Sequence, residues 1–313
     1  MKKTIRHKKA NLLLIILALA ATIFLTKIQY VHATDNRIFF QPAKPIGEVG
    51  TLFTVNIKIN VTNFRNLKFS ISWNPGSVNC TSIQKGTFLD PHQVFNPGVV
   101  NNTLGTIENV LCTWAQSTGK NGTGTIAIVS FKAIQVGGTP ITFTKVEGTD
   151  SYSQPMTYTI ENGYATLVKT LTHHLNWTDP NNGNFEFDII TKSNSTVGPV
   201  NFNQTSKSIN FTVTGPNGSF GFCNVTIPRN ILDSQDITQW QVYLEETNIT
   251  DNCQITRDTS NTRIYIPYAH STQTITVRGT WVIPEFPANL MLPLIVLASL
   301  AIIPLIRRKQ KHS

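Results

Sequence analysis

The sequence predicts an all-β protein: two β-sandwich domains set between an N-terminal signal peptide and a C-terminal transmembrane helix. Three observations predict it. Apolar and polar residues alternate with period two in one segment after another, Gly, Asn and Pro clusters punctuate those segments, and no useful helical periodicity occurs before the last apolar run. Short strands at regular spacing build sandwiches or jelly rolls.

At the start, Lys2, Lys3, Arg6, Lys8 and Lys9 precede an uncharged apolar stretch, Leu12 to Leu25, and Val31-His32-Ala33 follows as a small-x-small cleavage site. That is the layout of a secretory signal over residues 1–33, with Thr34 as the mature N-terminus. At the other end, residues 288–306 are uncharged and long enough to cross a bilayer as a helix. Arg307, Arg308, Lys309 and Lys311 follow directly, so the tail 307–313 is expected on the cytoplasmic side and everything before the span outside.

The formal charge of +9 looks like that of a nucleic-acid binder until it is located. Ten of the 26 Lys and Arg residues lie in the two terminal segments, which carry no Asp or Glu, so sixteen cations face seventeen acids in the exported part. A net charge of −1 supplies no basic field for a phosphate backbone, and nucleic acid is excluded as a partner.

In the first domain, residues 36–168, Phe53, Val55, Ile57, Ile59 and Val61 alternate with Thr54, Asn56, Lys58 and Asn60. Leu67, Phe69, Ile71 and Trp73 then alternate with Lys68, Ser70, Ser72 and Asn74 until Pro75-Gly76 turns the chain. Asn109 to Trp114, Thr125 to Ala133, Pro140 to Thr144 and Tyr158 to Val168 read as further strands. The polar segment around THHLNWTDPNNGN predicts a linker over 169–184. A second sandwich of unassigned family is expected over 185–281, from Phe185/Phe187/Ile189 to Ile275/Val277, with a short linker at 282–287 before the span.

Cys80, Cys112, Cys223 and Cys253 all lie in the exported part, and their spacing favours bridges Cys80–Cys112 and Cys223–Cys253, one per domain. Asn-x-Ser/Thr sequons begin at Asn60, Asn79, Asn101, Asn121, Asn176, Asn194, Asn203, Asn210, Asn217, Asn224 and Asn248. Alternation places Asn60, Asn210 and Asn224 on outward faces.

Catalytic motifs are missing. No G-x-S-x-G or H-E-x-x-H occurs, and Asp90-Pro91-His92 is the one close acid and histidine pair. His173 and His174 are neighbours that point apart in an extended chain, which argues for solvated linker histidines over a metal site. The run DPNNGN faintly suggests a calcium loop, yet it lacks the acidic series and closing Glu of an EF-hand, so no cofactor or metal is expected. Trp73 and Trp114 fall on apolar sides of strands; Trp177, Tyr152 and Tyr268 fall in apparent turns and are the candidates for a sugar-stacking platform.

Residues 38–168 resemble a cohesin domain. The resemblance is carried by GEVGTLFTVNIKINVTNF, the strand NLKFSISWNP with its aromatic-polar-Pro corner, SIQKGTFL, TWAQSTGKNGTGTIAIVSFKAI and the closing TIENGYATLV. It implies a nine-stranded jelly roll whose outer face binds a dockerin module, with Asn66, Lys68, Ser70, Ser72 and Asn74 on that face. Cohesins often carry an Asn and an Asp on this strand; the Asn position falls on Asn66, the Asp position on Lys68. The stretch PEFPANLMLPLIVLASLAIIPLIRRK resembles the PEF-type sorting tail of archaeal surface proteins, which implies either a processed span or a retained anchor.

These readings predict a non-catalytic cell-surface protein, anchored by a single span with its ectodomain outside, that binds a dockerin-like surface protein for adhesion, scaffolding or docking. A carbohydrate-binding module recognising polysaccharide, and a structural coat or spacer, are the two alternatives.

Overall fold

A computed structural model describes residues 36–179 and 183–282. The signal segment, the span at 288–306 and the basic tail lie outside the described residues. Among those described, regular structure consists of strands and two short 3-10 turns, and no helix is long and apolar enough to cross a membrane.

The first unit comprises β1 (Arg37–Gln41), β2 (Ile46–Glu48), β3 (Leu52–Ser72), β4 (Val78–Lys85), β5 (Gln93–Asn96) and β6 (Val99–Asn101). It continues through β7 (Thr106–Trp114), β8 (Lys120–Ala133), β9 (Gly137–Asp150), β10 (Pro155–Met156) and β11 (Thr159–Glu161). Two long strands, β12 (Gly163–Asp179) and β13 (Gly183–Ser193), lead into the second unit. There follow β14 (Thr196–Val197), β15 (Asn201–Asn203), β16 (Ser208–Thr214), β17 (Phe220–Pro228), β18 (Leu232–Asp233) and β19 (Gln241–Leu244). The last are β20 (Thr247–Asn248), β21 (Gln254–Arg257), β22 (Asn261–Ala269), β23 (Thr272–Arg278) and β24 (Trp281–Val282).

Strand β3 organises the first unit. Its N-terminal half pairs with β1 and β8, its C-terminal half with β7 and β9. The register shifts between Val61 and Phe64, where Asn63 adopts a φ of 58° and its N–H donates to Asn121 Oδ1. Such a bulge bends a strand, and here it lies where β3 passes from its β1 and β8 partners to β7 and β9. Val55, Ile57 and Ile59 from one half and Leu67, Phe69 and Ile71 from the other are buried in one apolar cluster. Trp73 closes it, its indole N–H donating to the Val78 carbonyl, and the chain passes its backbone so closely that a Cβ on Gly105 would lie 2.3 Å from the Trp73 oxygen. With a φ of +68° as well, that position needs glycine.

The segment expected as a linker is instead a hairpin. Strand β12 pairs β13 without a break from Lys169↔Ser193 to Asp179↔Gly183. Half-buried Leu171, His173 and Leu175 alternate with exposed Thr170, Thr172, His174 and Asn176. The period of two is therefore real, but a histidine on its inner side and the Pro-Asn-Asn-Gly run in the sequence made it read as a polar turn. Because β12 begins against β9 and β2 and ends against β13, one hydrogen-bonded path, β11-β1-β3-β9-β12-β13-β17-β22-β21, crosses both units.

Opposite the β13-β17-β22-β21 portion lies the sheet β14-β16-β23-β19-β20, and the two enclose a second apolar cluster around Phe211, Trp240, Ile264 and Val277. This core also contains a polar chain. The Ser219 hydroxyl donates to the Pro216 carbonyl at 2.7 Å, so it accepts from His270 Nδ1 at 2.6 Å. His270 Nε2 then accepts from Ser195 Oγ at 2.8 Å, and Ser195 accepts from the Tyr268 hydroxyl at 2.8 Å. Burial lowers the pKa of His270.

All four cysteines are free thiols, which overturns the two expected bridges. Cys80 lies opposite Phe131 on β8, while Cys112 Sγ lies beside the carbonyl of Ile126 on the same strand. Five residues of strand separate those positions, roughly 17 Å. Cys223 pairs with Ile266 of β22, and Cys253 precedes β21 on the far side of β22, about two strand spacings or roughly 10 Å away. Both separations exceed disulfide reach. Burial pushes the Cys112 and Cys223 thiols up to about 12 and those of Cys80 and Cys253 up to about 11.

Candidate partner-binding face

The C-terminal half of β3 lies between β7 and β9, with β5 beyond β7, and the register of these strands composes their outer face in rows. Residues paired across a sheet point to the same side. One row is Val94, Thr113, Asn66 and Thr149; the next is Asn96, Leu111, Lys68 and Glu147. After a register shift comes a row of Asn101, Thr106, Ser72 and Thr142.

Three of the five residues expected on this face occupy it. The Asn66 amide donates to Thr149 Oγ1 at 2.7 Å, Ser72 and Thr142 share a hydroxyl contact of 2.8 Å, and Lys68 forms no ion pair among the described residues. Ser70 does not: it is 7% exposed, and its hydroxyl accepts from the Asn109 N–H, where Asn109 has a φ of 61° and the β3–β7 register shifts. Asn74 lies beyond the strand end, exposed, with Oδ1 capping the Gly76 N–H. The bulge was invisible in a sequence that alternates evenly across it.

Sequence reasoning missed the apolar part of this surface. Val94 is 55% exposed and Val99 67%, and Leu104 is exposed in the turn that follows β6. Valines on a short strand look like core residues, and only the position of β5 and β6 at the sheet edge turns them outward.

Of the sugar-platform candidates, Tyr152 is in a turn and 77% exposed. Tyr268 is not in a turn: it belongs to β22, is 6% exposed, and spends its hydroxyl on Ser195. Pro267 in YIPYAH imitates a turn signal, but it sits inside the paired register, opposite Phe222. Trp177 is in β12 opposite Phe185. Trp73 is buried, whereas Trp114 only packs against the core, with Lys120 Nζ 4.7 Å over its ring and His92 at its edge.

The histidine pair is divided between the two faces of β12. His173 Nε2 meets Thr191 Oγ1 at 2.9 Å, and His174 Nδ1 meets Asp188 Oδ1 at 2.6 Å. Among the described residues no group of three or more His, Cys, Asp or Glu is arranged to hold a metal ion. Asp90 pairs with Lys85, not with His92, so that candidate acid and base do not meet. Ten of the sequon asparagines are exposed or half-exposed; Asn194 is buried, its amide donating to the Phe220 carbonyl and its oxygen accepting from the Phe222 N–H. Those two bonds leave Asn194 no access for a glycan.

No family model and no curated protein matches the chain. Among solved structures it is similar to a non-cellulosomal cohesin from the hyperthermophilic archaeon Archaeoglobus fulgidus, at 17% identity and a TM-score of 0.36, over 43% of this chain and 91% of that one. It is also similar to the OlpA cohesin in a type I cohesin–dockerin complex from Clostridium thermocellum, at 15% identity and a TM-score of 0.37, over 43% and 99%. A type II cohesin domain from the cellulosome of Acetivibrio cellulolyticus has 18% identity and a TM-score of 0.35, over 42% and 94%.

Proposed function

We propose that this chain is a non-catalytic cell-envelope protein that docks a surface protein of dockerin type through the outer face of its first sandwich. One observation carries the reading: exposed Val94 and Val99 adjoin a sheet face bearing Leu111, Glu147 and a Lys68 that forms no ion pair among the described residues. Apolar side chains bordered by hydrogen-bonding and charged groups are what a specific interface uses. The resemblance over residues 38–168 supports the same surface. Lys68, standing where cohesins often carry an acid, selects an acidic counterpart on the partner.

In this reading the signal is cleaved, sequons on exposed positions carry glycans, and the C-terminal span or its processed remnant holds the ectodomain at the cell surface. Adhesion, scaffolding and enzyme docking all follow from one binding event.

The test is affinity selection from the organism's own secreted and envelope fractions on the immobilised full-length chain, with mass spectrometric identification. A retained protein with dockerin-type calcium repeats is expected, released by a calcium chelator. Lys68→Glu should weaken its binding by about tenfold or more, equal to about 1.4 kcal/mol. Affinity unchanged in both Lys68→Glu and Val94→Asp would remove this face from the interaction.

A further inference from the structure

The outer face of the β13-β17-β22-β21 sheet carries an aromatic strip. Phe222 and Tyr265 stand beside buried Cys223 and Ile266 on their strands, so the pleat turns them outward. Both are half-exposed, and neither belongs to the apolar cluster beneath the sheet. Their rings meet diagonally across the two strands, with centroids 5.7 Å apart and planes 33° from parallel. Phe220, on the same side of β17, is 61% exposed and continues the strip. A contiguous apolar patch of this kind on an outer face calls for an occupant.

Asn224 lies in the corner between the two rings. It pairs directly opposite Tyr265 and follows Phe222 by two residues, so all three side chains rise on one side of the sheet. Its cross-strand neighbour in β13 is exposed Lys192. Asn224 is half-exposed, and among the described residues no hydrogen-bond partner holds its carboxamide. Other sequon carboxamides are committed: Asn121 accepts from the Asn63 N–H, Asn194 bonds twice to β17, and Asn248 accepts from the Thr250 N–H. Asn224-Val225-Thr226 is also the one sequon in the sequence with Phe, Tyr or Trp two residues before its asparagine.

We propose that Asn224 carries an N-linked glycan whose first sugar lies across Phe222 and Tyr265 and so becomes part of the second unit's surface. The sequon names the occupant, and the rings give its C–H face an apolar seat. A tethered sugar does not lose the translational freedom of a free ligand on binding, so a shallow face suffices where a free sugar needs a cleft. Transfer joins Asn224 Nδ2 to the anomeric carbon of a lipid-phosphate-linked oligosaccharide. The bond from that carbon to the phosphate oxygen breaks, the lipid phosphate leaves, and the amide nitrogen gives up one proton. Because β17 is an inner strand between β13 and β22, the acceptor is presented to the transferase before the sheet closes. The inference rests on the export and glycosylation proposed above, but not on the docking face.

The test starts from the full-length protein in the organism's own membranes. Fragmentation mass spectrometry must separate Asn224 from Asn210 and Asn217, which share the tryptic peptide 208–229, and should find Asn224 occupied. Thr226→Val, expressed in the same organism, abolishes the sequon but keeps the rings, and should lower the melting temperature by about 2–4 °C. Asn224→Gln should repeat that loss, and Thr226→Ser, which preserves the sequon, should not show it. In a Phe222→Leu, Tyr265→Leu background, Thr226→Val should cause no further loss. A bare Asn224 beside occupied sequons elsewhere overturns this inference alone, whereas a chain without a glycan at any sequon overturns it together with the glycosylated-envelope reading. An occupied Asn224 also overturns it if losing the glycan leaves the melting temperature unchanged, or lowers it equally once the rings are gone. A bare Asn224 in a chain that dimerises until Phe220→Ser is introduced assigns the strip to a second copy and refutes the proposal.

Discussion

The two cores are built differently. In the first unit the buried polar side chains are Ser70, Ser77 and Thr139, set among aromatic and branched residues such as Phe69, Phe131 and Ile57. In the second, Thr191, Ser193, Asn194, Ser195, Ser208, Ser234, Thr262 and His270 are buried, and two of them, Ser195 and His270, form the middle of the Tyr268-Ser195-His270-Ser219 chain. Apolar burial is insensitive to pH and to the order of hydrogen bonds, whereas a polar chain is stable only while every member keeps its partner. The first core is therefore expected to fail by cavity formation and the second by loss of hydrogen bonding or by protonation.

The largest test of that contrast is Phe131→Ala. It removes a buried ring that packs against Trp73 at 5.2 Å and Phe53 at 5.7 Å, and should destabilise the first unit by about 3–5 kcal/mol in denaturant unfolding. A loss below about 1 kcal/mol would mean that the apolar core is less tightly packed than its burial indicates.

Next comes Asn194→Ala, which strands the Phe220 carbonyl and the Phe222 N–H and should cost the second unit about 2 kcal/mol. Asn194→Asp keeps the acceptor alone and should fall between. If the two variants unfold alike, the retained acceptor contributes nothing.

The pH dependence is smaller and should belong to the second unit. Burial lowers the pKa of His270, so its folded value lies below the ordinary 6.5 of the unfolded chain. The unfolded state then binds more protons as the pH drops below 6.5, and stability present above that pH declines toward the folded pKa and levels off beneath it. His173 on β12, also lowered by burial, adds in the same direction. Melting curves from pH 8 to 5 should show this loss, and His270→Asn should flatten it; an unaltered pH profile in His270→Asn would refute the role of the imidazole.

The smallest effect concerns the thiols. Reductant should leave the melting temperature unchanged, and a thiol reagent should find four groups after unfolding but react slowly before it, since burial raises every one of their pKa values. Fewer than four would show that a bridge had formed.

Much of the fold was legible in the sequence. Leu67, Phe69, Ile71 and Trp73 were expected inside and are buried; Cys223, Val225, Ile227, Ile264 and Ile266 follow the same rule in the second unit. Period-two alternation is a local property, set by the pleat of one strand, so it survives without knowledge of the neighbours. The errors occur where neighbours decide. Ser70 was expected outside, but a bulge in the partner strand covers it. Tyr268 was expected in a turn, but Pro267 is accommodated within the β17–β22 ladder.

The candidate sites divide in the same way. Asn66, Lys68 and Ser72 could be placed on one face because they share one strand, while Val94, Leu111 and Glu147 join them only through pairing between β5, β7, β3 and β9. Phe222 and Asn224 likewise share one strand, and Tyr265 joins them only through the β17–β22 pairing.

By itself the sequence determined the all-β class, the inward side of most strands and the uneven charge that separates the two ends from the rest of the chain, because each depends on composition or on short-range periodicity. The tertiary structure alone decided that β12 continues from one unit into the other, that the cysteines stand too far apart to pair, and that Trp281 pairs with Asp233. Each of those depends on which distant strands become neighbours, and that is settled by pairing and packing over the whole chain.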